Sequence, residues 1–384
     1  MNMKISMFGT LPPLKGNAYY CWHLSQALAQ KVEVEFFTFK RLYPNFLYPG
    51  GTEEPDVRLN GHHTFDIHRS LDILNPLTWL QASGRARGDI VHVQFWSLPV
   101  VPAWLTILTI LKRRKKRKSV VTVHNTSMHE PSAFDNLLLG SLLKLADRCI
   151  VHYEQGVDDL HQTFGIPREH VFYIPMGTHG ELYKKTLDRL TPGEAKKALN
   201  IDEDARVLLF FGNIREYKGA DDFLRALAIV RDRYPGKVVG IIAGQIWGKF
   251  DPYQQIIDAH NLQDNVKCWL HYIPMQEVSK FFFASDIVVL PYKKMGGQSG
   301  VGNIALEFHK PMVVTQVGGL PDLVIDKQFA VEPCNPEAMA ERILQILADE
   351  SLAKKLSEDS RTLLQKNSWD SITDKMVEIY NQIV

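Results

Sequence analysis

The sequence predicts an α/β chain made of two doubly wound units. Short β-branched or aromatic runs alternate with longer helical patterns almost from end to end. Those runs are continuously apolar, as expected of parallel strands covered by helices on both faces. A polar stretch rich in Lys and Glu near residues 177–191 separates two portions of similar length. The expected division is therefore 1–180, 190–366 and a terminal segment 367–384.

The first strand pattern is Lys4-Ile5-Ser6-Met7-Phe8, entered soon after Met1 without the basic region, apolar stretch and cleavage site of a signal peptide. Further strand patterns cover 32–38, 89–94, 119–124, 149–153 and 171–174. After the break Pro192 opens a helix over 193–199, and strand patterns return at 206–211, 238–243, 266–270, 287–290 and 312–315. Ligands of such sheets bind outside the carboxyl ends of the strands, so two facing units are expected to leave a cleft.

The 384 residues are 45% hydrophobic and 23% charged, enough for packed cores and against wholesale disorder. A net charge of +1 argues against nucleic acid as the main partner. Cys21, Cys149, Cys268 and Cys334 stand far apart, so neither zinc spacing nor a disulfide framework is readable, and a reducing, cytoplasmic setting is expected.

Two segments carry the chemistry. In Phe210-Phe211-Gly212-Asn213-Ile214-Arg215-Glu216-Tyr217-Lys218-Gly219 a strand ends in glycine and two cations precede a helix. Cations at a strand's carboxyl end can neutralise a diphosphate and stabilise charge on a leaving group. The alternative is a solvated loop with two ordinary cations. In Pro291-Tyr292-Lys293-Lys294-Met295-Gly296-Gly297-Gln298-Ser299-Gly300-Val301-Gly302-Asn303-Ile304-Ala305-Leu306-Glu307 a glycine-rich loop leads into a helix starting near Gly302–Asn303. Amides at a helix start suit an anion or a sugar hydroxyl, and Glu307 could accept hydrogen bonds from ribose. The alternative is a tight turn, with Glu307 favouring the helix dipole.

The order Gly212…Arg215…Lys218-Gly219, then Ser299-x-x-Gly302-Asn303-x-x-Leu306-Glu307, then Pro311-x-Val313-Val314-Thr315-x-x-Gly318-Gly319, resembles family 4 of the glycosyltransferases. The resemblance is strongest over 206–325. It implies the GT-B fold, two Rossmann-like domains, with acceptor binding in the first and nucleotide-sugar binding in the second. It also implies transfer from a nucleotide-sugar donor with retention of anomeric configuration and no metal ion. Lys218 matches the family's diphosphate-binding lysine. Asn213 stands where the family has an arginine, and Arg215 is the candidate to carry that charge. Glu307 matches the second acid of the E-x7-E motif, a ribose clamp. Ser299 replaces the first acid, leaving Gln298 and Ser299 to hydrogen-bond the sugar or the activity altered.

The loop after the first strand, Gly9-Thr10-Leu11-Pro12-Pro13-Leu14-Lys15-Gly16-Asn17, resembles the family's first glycine-rich loop, with donor contact implied at Gly16. His124 closes a strand and resembles the histidine that meets the donor sugar; without the family it reads as a capping residue. His129 and Glu130 follow on the expected acceptor side. Asp221-Asp222, the nearest approach to a metal motif, reads as a helix cap. The terminal segment resembles the helix that crosses back to the first domain, with Trp369 as a packing anchor.

The apolar segment 98–111 is about 14 residues, short of the ~20 that span a bilayer. From Leu98 it runs into Lys112-Arg113-Arg114-Lys115-Lys116-Arg117-Lys118, which suits either an anionic lipid surface or a buried helix followed by a solvated turn. A peripheral position at the inner membrane face and a glycolipid, lipid-linked or polysaccharide acceptor follow from the first choice. Competing functions are a sugar-nucleotide epimerase and a catalytically silent nucleotide-sugar-binding protein.

Overall fold

A computed structural model of the chain describes residues 3–14, 17–42, 63–126, 133–178 and 190–384. Gly16, His129 and Glu130 lie outside the described residues, as does most of the expected linker. The chain forms two compact units, Met1–Gly177 with Asn367–Val384, and Thr178–Lys366.

The first unit holds strands β1 (Lys4–Gly9), β2 (Glu33–Arg41), β3 (Asp66–Asp72), β4 (Ile90–Phe95), β5 (Lys118–Val123), β6 (Arg148–Val151) and β7 (Val171–Tyr173). All pair in parallel, in the order β3-β2-β1-β4-β5-β6-β7. Its helices are α1 (Ala18–Leu28), α2 (Pro76–Arg85), α3 (Val101–Lys115), α4 (Ala133–Leu145) and α5 (Gly156–Phe164). All six residues of β4 are buried, because helices cover both faces of the sheet. One face packs against α2, α3, α4 and α5 around Trp104, Phe8 and Phe95.

The second unit holds β8 (Arg206–Phe211), β9 (Val238–Ala243), β10 (Val266–Trp269), β11 (Ile287–Leu290), β12 (Met312–Thr315) and β13 (Ala330–Val331), parallel in the order β10-β9-β8-β11-β12-β13. Its helices are α6 (Pro192–Ala198), α7 (Ala220–Arg233), α8 (Asp251–Ala259), α9 (Met275–Ala284), α10 (Gly300–Glu307), α11 (Pro336–Ala348) and α12 (Glu350–Lys366). Thr191 and Glu194 form a capping box at the start of α6. In α7, Phe223, Leu224, Leu227 and Val230 recur at helical spacing and fill the core.

The last helix, α13 (Trp369–Asn381), is capped by Ser368 and covers the other face of the first sheet. Ile372, Met376, Ile379 and Tyr380 pack there with Ile5, Met7 and Leu24. Trp369 closes on Gly177, where an added Cβ would fall 2.5 Å from the indole. Lys31 adds ion pairs to Asp370 at 2.8 Å and Asp374 at 2.5 Å.

Two strands are absent from the sequence reading. β3 and β13 are sheet edges, and β3 carries charges (Asp66, Arg69, Asp72) that hide its pattern while protecting the edge. The apolar segment at 98–111 is core: Val100, Val101, Ala103, Trp104, Ile107, Leu108 and Leu111 are fully buried. Of the two alternatives for its apolar side chains, a lipid-facing surface and a buried helix, this burial fits the second. Of the cations that follow, Lys112 pairs with Asp147 at 3.0 Å and Arg117 with Asp89 at 3.1 Å. Arg113, Arg114, Lys116 and Lys118 are exposed.

Candidate active site

In the second unit the site is built at the carboxyl ends of β8 and β11. Gly212 follows β8 with φ +95°, and a Cβ there would meet Val301 Cγ2 at 2.9 Å and Lys218 Nζ at 3.6 Å. A side chain would therefore occupy the space between the first turn of α10 and the lysine. Gly219 has φ +70°, and a Cβ would lie 1.9 Å from the Pro291 carbonyl oxygen. Only glycine lets the turn Glu216–Lys218 press against the end of β11. The amide of Lys293 donates to the Tyr217 carbonyl at 2.7 Å, tying the two segments together.

Lys218 Nζ stands 5.0 Å from the centre of the Tyr292 ring. Tyr292 Oη is 3.2 Å from Ser299 Oγ. Among the described residues neither Lys218 nor Arg215 has a carboxylate partner. Arg215 lies 4.2 Å over the Trp247 ring, with Nε buried and unpaired. Arg215 thus turns toward the loop after β9, while Lys218 turns toward α10. Asn213 is exposed between them.

Helix α10 begins at Gly300, two residues before the expected start, because Ser299 caps it: Ser299 Oγ accepts from the Gly302 amide at 3.2 Å. Gln298 Oε1 accepts from the Ser299 amide at 3.0 Å, and Asn303 Nδ2 donates to the Ser299 carbonyl at 3.2 Å. The amides of Gly300 and Val301 belong to the first turn of α10, whose N–H groups have no acceptor within the helix. Ser299 is only 2% exposed, so its hydroxyl serves the helix.

Glu307 is the last residue of α10, two turns in, and 8% exposed. This corrects the reading that it favours the helix dipole: a carboxylate at a helix C-terminus is disfavoured by it.

Asp221 and Asp222 do not cap α7, whose N-cap is Gly219 without a side-chain bond. Asp221 instead pairs with Lys293 at 2.7 Å and Arg225 at 3.0 Å. Burial pushes the Asp221 carboxyl up, and Lys293 and Arg225 more than offset it, holding it below its ordinary value. Burial and the neighbouring Asp221 charge raise Asp222. No group of three His, Cys, Asp or Glu suited to a metal ion occurs among the described residues.

In the first unit His124 follows β5, 7% exposed, at the carboxyl edge of the sheet. Its Nε2 is 2.9 Å from Gln94 Oε1. Its ring meets those of Tyr20 and His152, each with centroids at 4.8 Å. Burial, then repulsion from His152 and His92, drives its pKa well below the ordinary value, so it is neutral. Gln94, His92, His152 and Tyr20 were not singled out in the sequence. The available signal was polar residues inside otherwise apolar strands, at His92 and Gln94 of β4.

The two parallel sheets, each covered by helices, make an α/β chain of two doubly wound units. The description "Glycosyltransferase Family 4" matches residues 15–181, and "Glycosyl transferases group 1" matches residues 193–363. The chain belongs to family 4 of the glycosyltransferases. A D-inositol 3-phosphate glycosyltransferase of Saccharomonospora viridis is 29% identical over 323 residues, 77% of this chain and 70% of that protein. The protein of that description from Corynebacterium urealyticum is 22% identical over 309 residues, 77% of this chain and 72% of that one. Among solved structures, Anabaena HepE in complex with UDP and glucose has TM-score 0.72 at 18% identity, covering 99% of this chain and 100% of that one. Sucrose-phosphate synthase from Thermosynechococcus elongatus has TM-score 0.69 at 19% identity, covering 99% and 98%. No helix among the described residues is long and apolar enough to cross a membrane.

Proposed function

We propose that the protein transfers a sugar, with retention of configuration and without a metal ion, from a nucleoside diphosphate sugar to an acceptor. The observation that carries this reading is Lys218: a lysine with no carboxylate partner among the described residues, held beside Tyr292 where β8 and α10 converge. Lys218 and Arg215 neutralise the diphosphate as it leaves, and the Gly300 and Val301 amides add donors. Glu307 accepts hydrogen bonds from the ribose hydroxyls. A donor phosphate oxygen takes the acceptor proton, so the protein supplies position and charge rather than a nucleophile. The carboxylates nearest a metal motif, Asp221 and Asp222, are engaged with Lys293 and Arg225. The cations therefore do the work that a divalent ion would do. A UDP-sugar is the first donor to try, because HepE was solved with UDP-glucose.

A lipid-linked acceptor is the preferred class. Helix α3 packs between α2 and α4, which expose Leu77 and Leu80 on one side and Phe134 and Leu137 on the other. Exposed cations stand at the end of α3. The test is a panel of UDP-, GDP- and dTDP-sugars with lipid-linked and soluble acceptors, with and without EDTA. Acceptor-dependent release of nucleoside diphosphate that survives EDTA supports the reading. Release without acceptor favours an epimerase-like reaction, and strict need for manganese or magnesium overturns the metal-free mechanism.

A further inference from the structure

A buried hydrogen-bonded chain leads from α13 across the first sheet to His124. Tyr380 Oη is 2.6 Å from His92 Nδ1, and Thr122 Oγ1 is 2.7 Å from His92 Nε2. The Gln94 amide nitrogen reaches Met7 Sδ at 3.2 Å and His92 Nε2 at 3.3 Å. That leaves its carbonyl oxygen for His124 Nε2 at 2.9 Å. Gly9 makes room for this arrangement, since a Cβ there would fall 3.1 Å from Gln94 Cγ.

An amide oxygen only accepts, so Nε2 of His124 carries the proton. A neutral imidazole has one proton, and Nδ1 is then a bare acceptor. That Nδ1 is buried without a hydrogen-bond partner among the described residues. Leaving such an atom unpaired is costly, and a hydroxyl donor from a ligand recovers that cost.

We propose that Gln94 is a positioning residue of the transfer reaction: it locks His124 in the Nε2–H form so that Nδ1 accepts from a hydroxyl of the transferred sugar. The inference rests on the sugar-transfer reading. Glutamine suits the task because it accepts without charge. A leucine would release the ring to either tautomer, and a glutamate would draw a second proton onto it and erase the acceptor. Among the described residues, the groups facing His124 are uncharged at neutral pH. They are Tyr20 from α1, His152 after β6 and, through Gln94, His92 in β4, with Cys21 beside Gly9. His152 is fixed likewise, its Nδ1 donating to the Ile174 carbonyl at 2.9 Å.

The experiment is a long-range proton–nitrogen correlation spectrum of the full chain labelled with ¹⁵N-histidine, assigned with His124→Gln, beside kinetics with the donor selected by the panel. In the wild type, His124 should show a protonated Nε2 and a bare Nδ1 from about pH 8 to about pH 5. Gln94→Glu should raise the His124 pKa and make kcat/KM fall with acidity where the wild type is flat. Gln94→Leu should mix the tautomers and lower kcat/KM roughly tenfold, with nucleoside diphosphate affinity within about twofold as proof of folding. A wild-type His124 protonated on Nδ1 overturns the inference. So does a Gln94→Glu pH profile that superimposes on the wild type. A wild type that turns over no nucleotide sugar removes the transfer reading instead, and the nitrogen shifts then judge separately whether Gln94 holds the ring.

Discussion

Lys218 and Tyr292 stack, with the ammonium 5.0 Å from the ring centre, and the tyrosine hydroxyl continues to the cap of α10 at Ser299. The lysine and the helix start are thereby joined through one tyrosine, with the close approach that Gly212 and Gly219 allow. Lys218→Ala should lower kcat/KM roughly 100- to 1000-fold, since it removes charge aimed at the leaving group. Its melting temperature should move by less than about 3 °C, because a half-buried lysine without an ion pair adds little stability. Kinetics and a thermal melt check both; a normal rate would sink the assignment.

Ser299 and Glu307 should separate cleanly. Ser299→Ala loses a helix cap and should cost about 1 kcal/mol in denaturant unfolding, with nucleoside diphosphate affinity unchanged. Glu307→Gln should weaken nucleoside diphosphate binding roughly tenfold by calorimetry, since a carboxylate accepts from ribose more strongly than an amide. Equal losses of binding in the two variants would refute this division.

The buried histidines predict loss of stability in acid. Burial lowers His92 to about 3 and His152 to about 4, against 6.5 when free. Between those values the unfolded chain binds more protons than the folded one, so stability rises with pH there and is lost as pH falls. Above about pH 6.5 these groups impose no slope. The urea midpoint should therefore drop between about pH 7 and about pH 5, and less so in His152→Gln. A midpoint independent of pH across that interval would contradict the buried, neutral state.

Membrane association should depend on charge. Arg113→Ser, Arg114→Ser and Lys116→Ser combined should weaken binding to anionic vesicles by on the order of a hundredfold at low salt, at about 1 kcal/mol per cation. Wild-type binding should fade as salt shortens the Debye length toward about 8 Å. Co-sedimentation measures this, and indifference to anionic vesicles at low salt would point to a soluble acceptor.

The interior strands were legible because burial on both faces writes them as unbroken apolar runs: 206–211 and 238–243 coincide with β8 and β9. The edges β3 and β13 were not, since an edge strand is half solvated and its composition no longer reports pairing. Lys218 and Glu307 were singled out from the motif order and the family it resembles, because a glycine-bounded turn after a strand and a short helix leave local signatures. Gln94 left none. It meets His124 across two neighbouring strands, 30 residues apart, and only the pairing of β4 with β5 brings them together. The start of α10 was misplaced because Ser299 had been weighed as a replacement acid rather than as a cap.

The ribosome makes the strands of the first sheet well before the helix that covers one of its faces, with Thr178–Lys366 between them. Until 369–381 emerge, the floor under Ile5, Met7 and Leu24 has no Ile372, Met376, Ile379 or Tyr380 upon it. The nascent first half must wait, with a greasy flank open, while all of Thr178–Lys366 is synthesised and free to fold. A premature stop between 177 and 369 removes that helix and leaves the flank uncovered, however intact the first half's own sequence.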